Sequence, residues 1–367
     1  MDSLERMQGM FAGGSYDRVG LHDHYWPETC VQWMDQGYPT HTDGDGNRLP
    51  HDPSVVFDYD MRSVGGWFDL SPIRGVSEVL EETDEWIVRR TGSGAAFKYW
   101  KHKSGTPEHV DFQMSSREIW ERDYRPHLLE LDRGRVDVDG ARANLQKARE
   151  DRKWSFYGHQ FVWETLRGSL GDVCMYESLS LDPGWIHDFC RVYTDFYKQH
   201  YGLLFSEAGA PDGVWMYEDL GYRNGLFCSP KTLAALIFPY FAELVGFFHD
   251  HGCPVVLHSC GNFTQALPLI VEAGFDAINP MEVKAGCDIL AMADRYADRL
   301  VFVGGLDVRI LETNDPEVIG PAVRTLVEQM KARNARFVFG TDHSVTPLVR
   351  YDSYRLAVET CRQHGAY

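Results

Sequence analysis

With 367 residues, 44% apolar and 25% charged side chains and no biased tract, the sequence has the composition of a folded globular protein, which excludes disordered and fibrous classes. Thirty-six Lys and Arg against 54 Asp and Glu leave a net charge of −18, and with no local basic patch to override it a nucleic-acid partner is excluded. No apolar run approaches the roughly 20 residues that cross a bilayer, residues 1–14 have no leader-like pattern, and eight Cys without short repeated spacing read as reduced thiols. The expectation is a cytoplasmic protein with no membrane partner.

In chain order, Arg18 to Leu21 reads as a first strand, Pro27 to Gln36 as a helix, and the β-branched run Ser54 to Tyr59 as another strand. Polar segments 38–53 and 102–118 read as loops. Trp86 to Arg90 and Ala95 to Lys101, joined by Thr91-Gly92-Ser93-Gly94, have the pattern of a β-hairpin, and the charged stretch 134–152 suits a helix or a linker. Beyond residue 210 short apolar runs alternate with helical periodicity. Strands are expected over Val214 to Tyr217, Pro254 to His258, Ala277 to Asn279, Leu300 to Gly304 and Phe337 to Gly340. Helices are expected over Pro230 to His251, Thr264 to Ala273, Asp288 to Tyr296, Asp315 to Arg333 and Tyr351 to His364, with Ser229-Pro230 and Asn314-Asp315-Pro316 as start signals.

Five successive strand-helix units imply a parallel sheet with right-handed crossovers, and no glycine-rich dinucleotide fingerprint opens any of them. The fold expected is one (β/α)8 TIM barrel over 1–367, elaborated in residues 1–150 by the hairpin. A barrel places its chemistry at the carboxyl ends of its strands. Each legible strand does end in polar groups: Glu218-Asp219, His258-Ser259-Cys260, Glu282, Asp307 after Gly304-Gly305, and Asp342-His343.

Residues two apart in extended backbone point the same way, so His258 and Cys260 face one point, and imidazole and thiolate are both zinc ligands. A third ligand is required, for which His343 is the candidate; otherwise the pair is a buried Cys beside a backbone-bonded His. Glu218 and Asp219 either cap the following segment or serve the site, but they interrupt an apolar and aromatic run where an unpaired charge is costly. Asp307 either caps a turn or joins the site. His22-Asp23-His24 is an H-x-H pair at the end of a first strand. It suits either a metal hydrolase, whose other ligands are missing, or the polar rim of a pocket with Tyr25 and Trp26.

The run from Glu218-Asp219-Leu220-Gly221 through Asn224 to Ser229-Pro230 resembles the acidic signature of the uroporphyrinogen decarboxylase superfamily. The resemblance continues through Leu257-His258-Ser259-Cys260-Gly261-Asn262, Gly274 to Pro280 and Gly304-Gly305-Leu306-Asp307, covering residues 210–367 well and the N-terminal half loosely. It implies a (β/α)8 barrel with one of two chemistries: metal-free decarboxylation of a carboxylated ring, or zinc-dependent methyl transfer between a corrinoid and a thiol. The N-terminal arginine loop of the decarboxylases is replaced by Gly20-Leu21-His22-Asp23-His24-Tyr25-Trp26, so the methyltransferase branch is the closer one. Its H-x-C-G motif matches His258 and Cys260, and alignment of its late Cys segment on Pro347 puts His343 in the third ligand's place. The resemblance therefore implies Zn2+ on His258, Cys260 and His343, with Glu218, Asp219 and Asp307 as catalytic residues. His22, His24, Tyr25, Trp26, Asn224 and Glu282 are expected to bind a small methylated substrate or thiol. A corrinoid would be carried by a partner protein, since no cobalamin-binding segment is present.

Overall fold

A computed structural model describes residues 1–367 and arranges eight parallel strands as a nearly closed barrel. The strands are β1 (Gly20–Leu21), β2 (Met61–Ser63), β3 (Trp154–Gln160), β4 (Gly213–Tyr217), β5 (Val255–Ser259), β6 (Ala277–Pro280), β7 (Val301–Val303) and β8 (Arg336–Phe339). Their order around the barrel is β1-β8-β7-β6-β5-β4-β3-β2. Runs such as Val301-Phe302-Val303 are buried on both faces, as parallel strands covered by helices require.

The seam between β1 and β2 has no ladder and is closed by one carboxylate. Leu21 N–H donates to Asp60 Oδ2 at 2.8 Å, and Asp60 N–H returns a bond to Leu21 C=O at 2.9 Å. Arg6 and Arg18 converge on the same fully buried carboxylate at 2.7 and 2.9 Å. Arg6 comes from helix Ser3–Phe11, whose Met7 and Met10 join Trp154, Phe156, Trp215, Val256 and Val338 in the barrel interior.

The five strands and most of the helices expected beyond residue 210 are present, with ends shifted by a residue or two. The helix expected over Pro230 to His251 is two helices, Pro230–Leu236 and Phe238–Asp250, bent by 55° where Pro239 interrupts the amide ladder. No single helix is long and apolar enough to cross a membrane.

The N-terminal half differs more. Ser54 to Tyr59 is not a strand: Asp52 accepts the N–H of Ser54 and Pro53 occupies the first helical position, so Pro53–Val56 is a helical turn and β2 follows it. β3, buried along all but its last residue, and helices Val162–Leu170, Asp172–Leu181 and Pro183–Glu207 fill a region the sequence left unread. The stretch 134–152 holds helix Val138–Glu150. The hairpin lies at the centre of a four-stranded antiparallel sheet, Ser77–Glu82, Trp86–Thr91, Ala95–Trp100 and Glu108–Phe112, whose last strand falls in a segment read as loop.

Candidate metal and substrate site

β4 and β5 are neighbours in register, with Tyr217 beside His258, so the residues that follow them meet at the barrel mouth. Beyond β4 the chain turns Glu218 and Asp219 to opposite sides. Asp219 faces β5: its Oδ1 accepts the N–H of Cys260 at 2.7 Å and lies 3.8 Å from His258 Nε2. His258 Nε2 is in turn 3.5 Å from Cys260 Sγ, and the ligand atoms of Asp219, His258 and Cys260 all lie within 4.8 Å of one another.

The imidazole is held for this encounter. Asn279 at the end of β6 donates through Nδ2 to the Val303 carbonyl at 2.9 Å, which fixes its amide so that Oδ1 faces His258 Nδ1 at 2.6 Å. Nδ1 therefore carries the proton and Nε2 turns its lone pair toward Cys260, the arrangement that metal-ligating histidines adopt. In a tetrahedral zinc site with bonds of about 2.3 Å to sulfur and 2.05 Å to nitrogen, the two atoms stand about 3.6 Å apart. The observed separation matches, and the donor set of carboxylate, imidazole and thiol fits Zn2+. Asn279→Ala is expected to weaken zinc binding by about 10- to 100-fold while leaving the fold intact, as measured by competition with a chelator.

Burial, with the Asp219 and Glu282 carboxylates nearby, holds the Cys260 thiol well above its ordinary pKa. At pH 7 the thiol is then protonated, and a metal must displace that proton. Zinc uptake is expected to release about one proton per chain, and its apparent affinity to drop about tenfold for each pH unit lowered. Calorimetry in two buffers of different ionisation enthalpy reads the proton directly.

The two loops that bring these groups together touch backbone to backbone. Gly261 has φ +73°, and a Cβ there would stand 2.4 Å from the carbonyl carbon of Gly221. A Cβ on Gly221 would stand 2.9 Å from Asn262. Both positions require glycine. Glu282 Oε2 accepts the Gly261 N–H at 2.7 Å and completes the turn.

The uroporphyrinogen decarboxylase (URO-D) family model matches residues 174–364. The chain belongs to this family. Among solved structures, a methyltransferase from Methanosarcina mazei is similar over 99% of both chains, with 13% identity and a TM-score of 0.66. An L-ribulose 3-epimerase (10% identity, 64% of this chain and 84% of that one, TM-score 0.39) and a chitinase from Chromobacterium violaceum (9%, 63% and 86%, 0.36) also match, at lower similarity. No curated protein sequence matches.

The remaining expected residues of this URO-D family member divide into two groups. A cavity of about 220 Å3 is lined by His22, His24, Trp26, Asp219, His258, Cys260, Asn279 and His343, together with Thr106 from the antiparallel insertion. It adjoins a vestibule of about 830 Å3 that includes Tyr25, Lys98, Trp100 and Lys103. The loop carrying Thr106 is tied to helix Pro27–Met34 by the Ser104 N–H, which donates to the Glu28 carboxylate. The insertion thus covers the mouth, a role that its sequence pattern does not announce.

His343 is inside this cavity but is not one of the three converging side chains; Asp219 holds the third position. β8 lies against β1 and is separated from β5 by two intervening strands, and Thr341 is drawn toward β1 by its hydroxyl bond to Asp23 at 2.6 Å. His343 accordingly sits with its ring 6.2 Å from that of Trp26. Glu218, expected among the catalytic residues, faces away from the cavity. It is fully buried and accepts the N–H groups of Phe161, Trp163 and Glu164, so it caps helix Val162–Leu170 and does not reach the cavity. Burial, reinforced by Glu164, raises its pKa well above the carboxylate range.

Asp307 likewise caps a helix, Val308–Glu312, pairs with Arg309 at 2.6 Å and lines a separate groove outside the cavity. Asn224 is exposed in the tight turn between Tyr222 and Gly225, away from the cavity. Glu282 acts on the Gly261 backbone and pairs with Lys284 at 3.3 Å. Asn279 and Thr106 were not singled out from sequence; for Asn279 the available signal was a polar residue closing an apolar strand at the level of His258.

Proposed function

We propose that this chain is a zinc-dependent methyltransferase. It would move a methyl group between a small methylated substrate, or a methyl-corrinoid carried by a partner protein, and a thiol or corrinoid acceptor. The convergence of Asp219, His258 and Cys260, with Asn279 fixing the imidazole, carries this reading. Membership of the URO-D family and the shared fold with the Methanosarcina mazei methyltransferase support it. Bound by these three residues, zinc would keep a fourth position in which an incoming thiol is held as thiolate at neutral pH.

The chain's own groups supply the rest. Asn279 and Glu282 hold the His258 ring and the Cys260-Gly261 turn in place. His22, His24, Trp26 and Thr106 enclose the space in front of Cys260 where a small substrate would sit, and the vestibule under the insertion gives a partner-bound corrinoid its approach. All eight cysteines are unpaired, which accords with a reducing compartment such as the cytoplasm. No Lys or Arg lines the cavity, so a substrate bearing several carboxylates would find no cationic clamp there; decarboxylation of a carboxylated ring gains no support from this lining.

The test is demethylation of methylcobalamin with 2-mercaptoethanol as acceptor, followed by the loss of methylcobalamin absorbance. Zinc-dependent turnover that disappears in Cys260→Ala is expected. A purified protein that retains below about 0.1 zinc per chain after reconstitution, or an alanine variant as active as the parent, would reject the proposal.

A further inference from the structure

The cavity has a second wall, opposite in character to the thiol. His22 and His24 project from the end of β1 with their rings 4.9 Å apart, edge to face. His22 is only 6% exposed, and neither of its ring nitrogens makes a hydrogen bond, the nearby Met61 backbone lying outside bonding geometry. His24 Nε2 is buried without a partner as well. Trp215, fully buried and outside the cavity lining, packs against both rings at 5.3 and 5.6 Å. Buried polar atoms are satisfied in the great majority of cases, so several orphans gathered on one wall of a cavity mark where a ligand's polar atoms belong.

The chemistry of the wall narrows that ligand. Burial pushes the His22 imidazole down to about 4, so it is neutral at pH 7 and offers one N–H and one lone pair. A permanent organic cation such as a quaternary ammonium has neither donor nor acceptor and would leave every one of these atoms unsatisfied. A carboxylate would enter a cavity that already holds Asp219. Asp23 is itself unable to receive a cation, since the hydroxyls of Thr341 and Tyr354 and the N–H groups of His24 and Thr341 already bond its oxygens at 2.6 to 3.1 Å. That clamp also fixes the backbone between the two histidines.

We infer that His22 and His24 recognise an uncharged oxygen, a methoxy or hydroxyl group, on the small substrate whose other end meets the Asp219, His258 and Cys260 group. The methyl-transfer reading supplies what the substrate does, and the histidine pair supplies how its oxygen is held.

The probe is guaiacol, titrated into zinc-loaded protein labelled with 15N-histidine, with tetramethylammonium and benzoate as comparators. Guaiacol is expected to shift the imidazole resonances of His22 and His24, and the comparators to leave them in place. By calorimetry, His24→Phe is expected to weaken guaiacol between about 3- and 10-fold, the value of one hydrogen bond, and His24→Gln to retain most of the affinity. Unchanged affinity in His24→Phe would overturn the inference. So would imidazole shifts with either comparator and none with guaiacol, or a second equivalent of zinc that is lost in His24→Phe. The labelled parent protein gives the answer even if that variant fails to fold. Zinc uptake without a guaiacol response defeats the histidine wall alone; a guaiacol response in protein that takes up no zinc preserves the wall and defeats methyl transfer.

Discussion

Cys260→Ala is expected to take reconstituted protein from about one zinc per chain to below about 0.1 after dialysis, the loss of one of three protein ligands costing more than the 100-fold attached to supporting residues. What remains is a carboxylate and an imidazole, a pair that holds zinc weakly. The thiol is the strongest donor of the three and the one with no hydrogen-bonding duty that another residue shares. Cys287 provides the control. It is buried nearby, its Sγ donating to the Gly261 carbonyl at 3.4 Å, yet it is outside the converging group. Cys287→Ala should therefore keep its zinc. Elemental analysis of the two variants side by side decides the matter, and full zinc occupancy in Cys260→Ala would remove the metal from the mechanism.

The second large effect lies far from the cavity. Asp60→Ala is expected to destabilise the fold by about 3–5 kcal/mol, because removing one partner leaves the other charges buried without compensation. With an unfolding entropy of about 2.1 cal/mol/K per residue, this corresponds to a fall in Tm of about 4–6 °C, readable by scanning calorimetry. Arg6 and Arg18 would both lose their shared carboxylate, and the Leu21 N–H at the open seam would lose its acceptor. A fall of less than about 1 °C would show that the seam holds without the carboxylate.

The barrel was legible where each strand carries both of its signals, a short β-branched run and a helix with its own cap. Residues 254 to 364 show this pattern, as with Asp315-Pro316 opening the helix Pro316–Ala332. β1 and β2, with 2 and 3 residues in strand geometry, are too short to impose a periodicity, and their pairing is fixed by distant groups such as Asp60. Ser54 to Tyr59 shows the reverse case, where a local cap overrides β-branched preference. At the site, His258 and Cys260 followed from alternation along one strand. Asp219 against Glu218 did not, because which of two adjacent acids turns inward depends on the unsatisfied N–H groups of a helix that starts 56 residues earlier. That Asp219 and not His343 joins His258 and Cys260 has a similar reason: proximity of β5 to β4, and its distance from β8, belongs to the closed sheet and not to any local motif.

The meeting of Gly221 and Gly261 couples two segments of the chain that share no side-chain contact at that point. Because the two backbones lie against each other, with no room for a side chain between them, the spacing of the loop that carries Asp219 is set against the loop that carries Cys260. Grafting the His258-Ser259-Cys260-Gly261 segment alone onto another barrel would therefore transplant the donors without their spacing, whereas moving both glycine loops as a pair would carry the geometry along with the atoms.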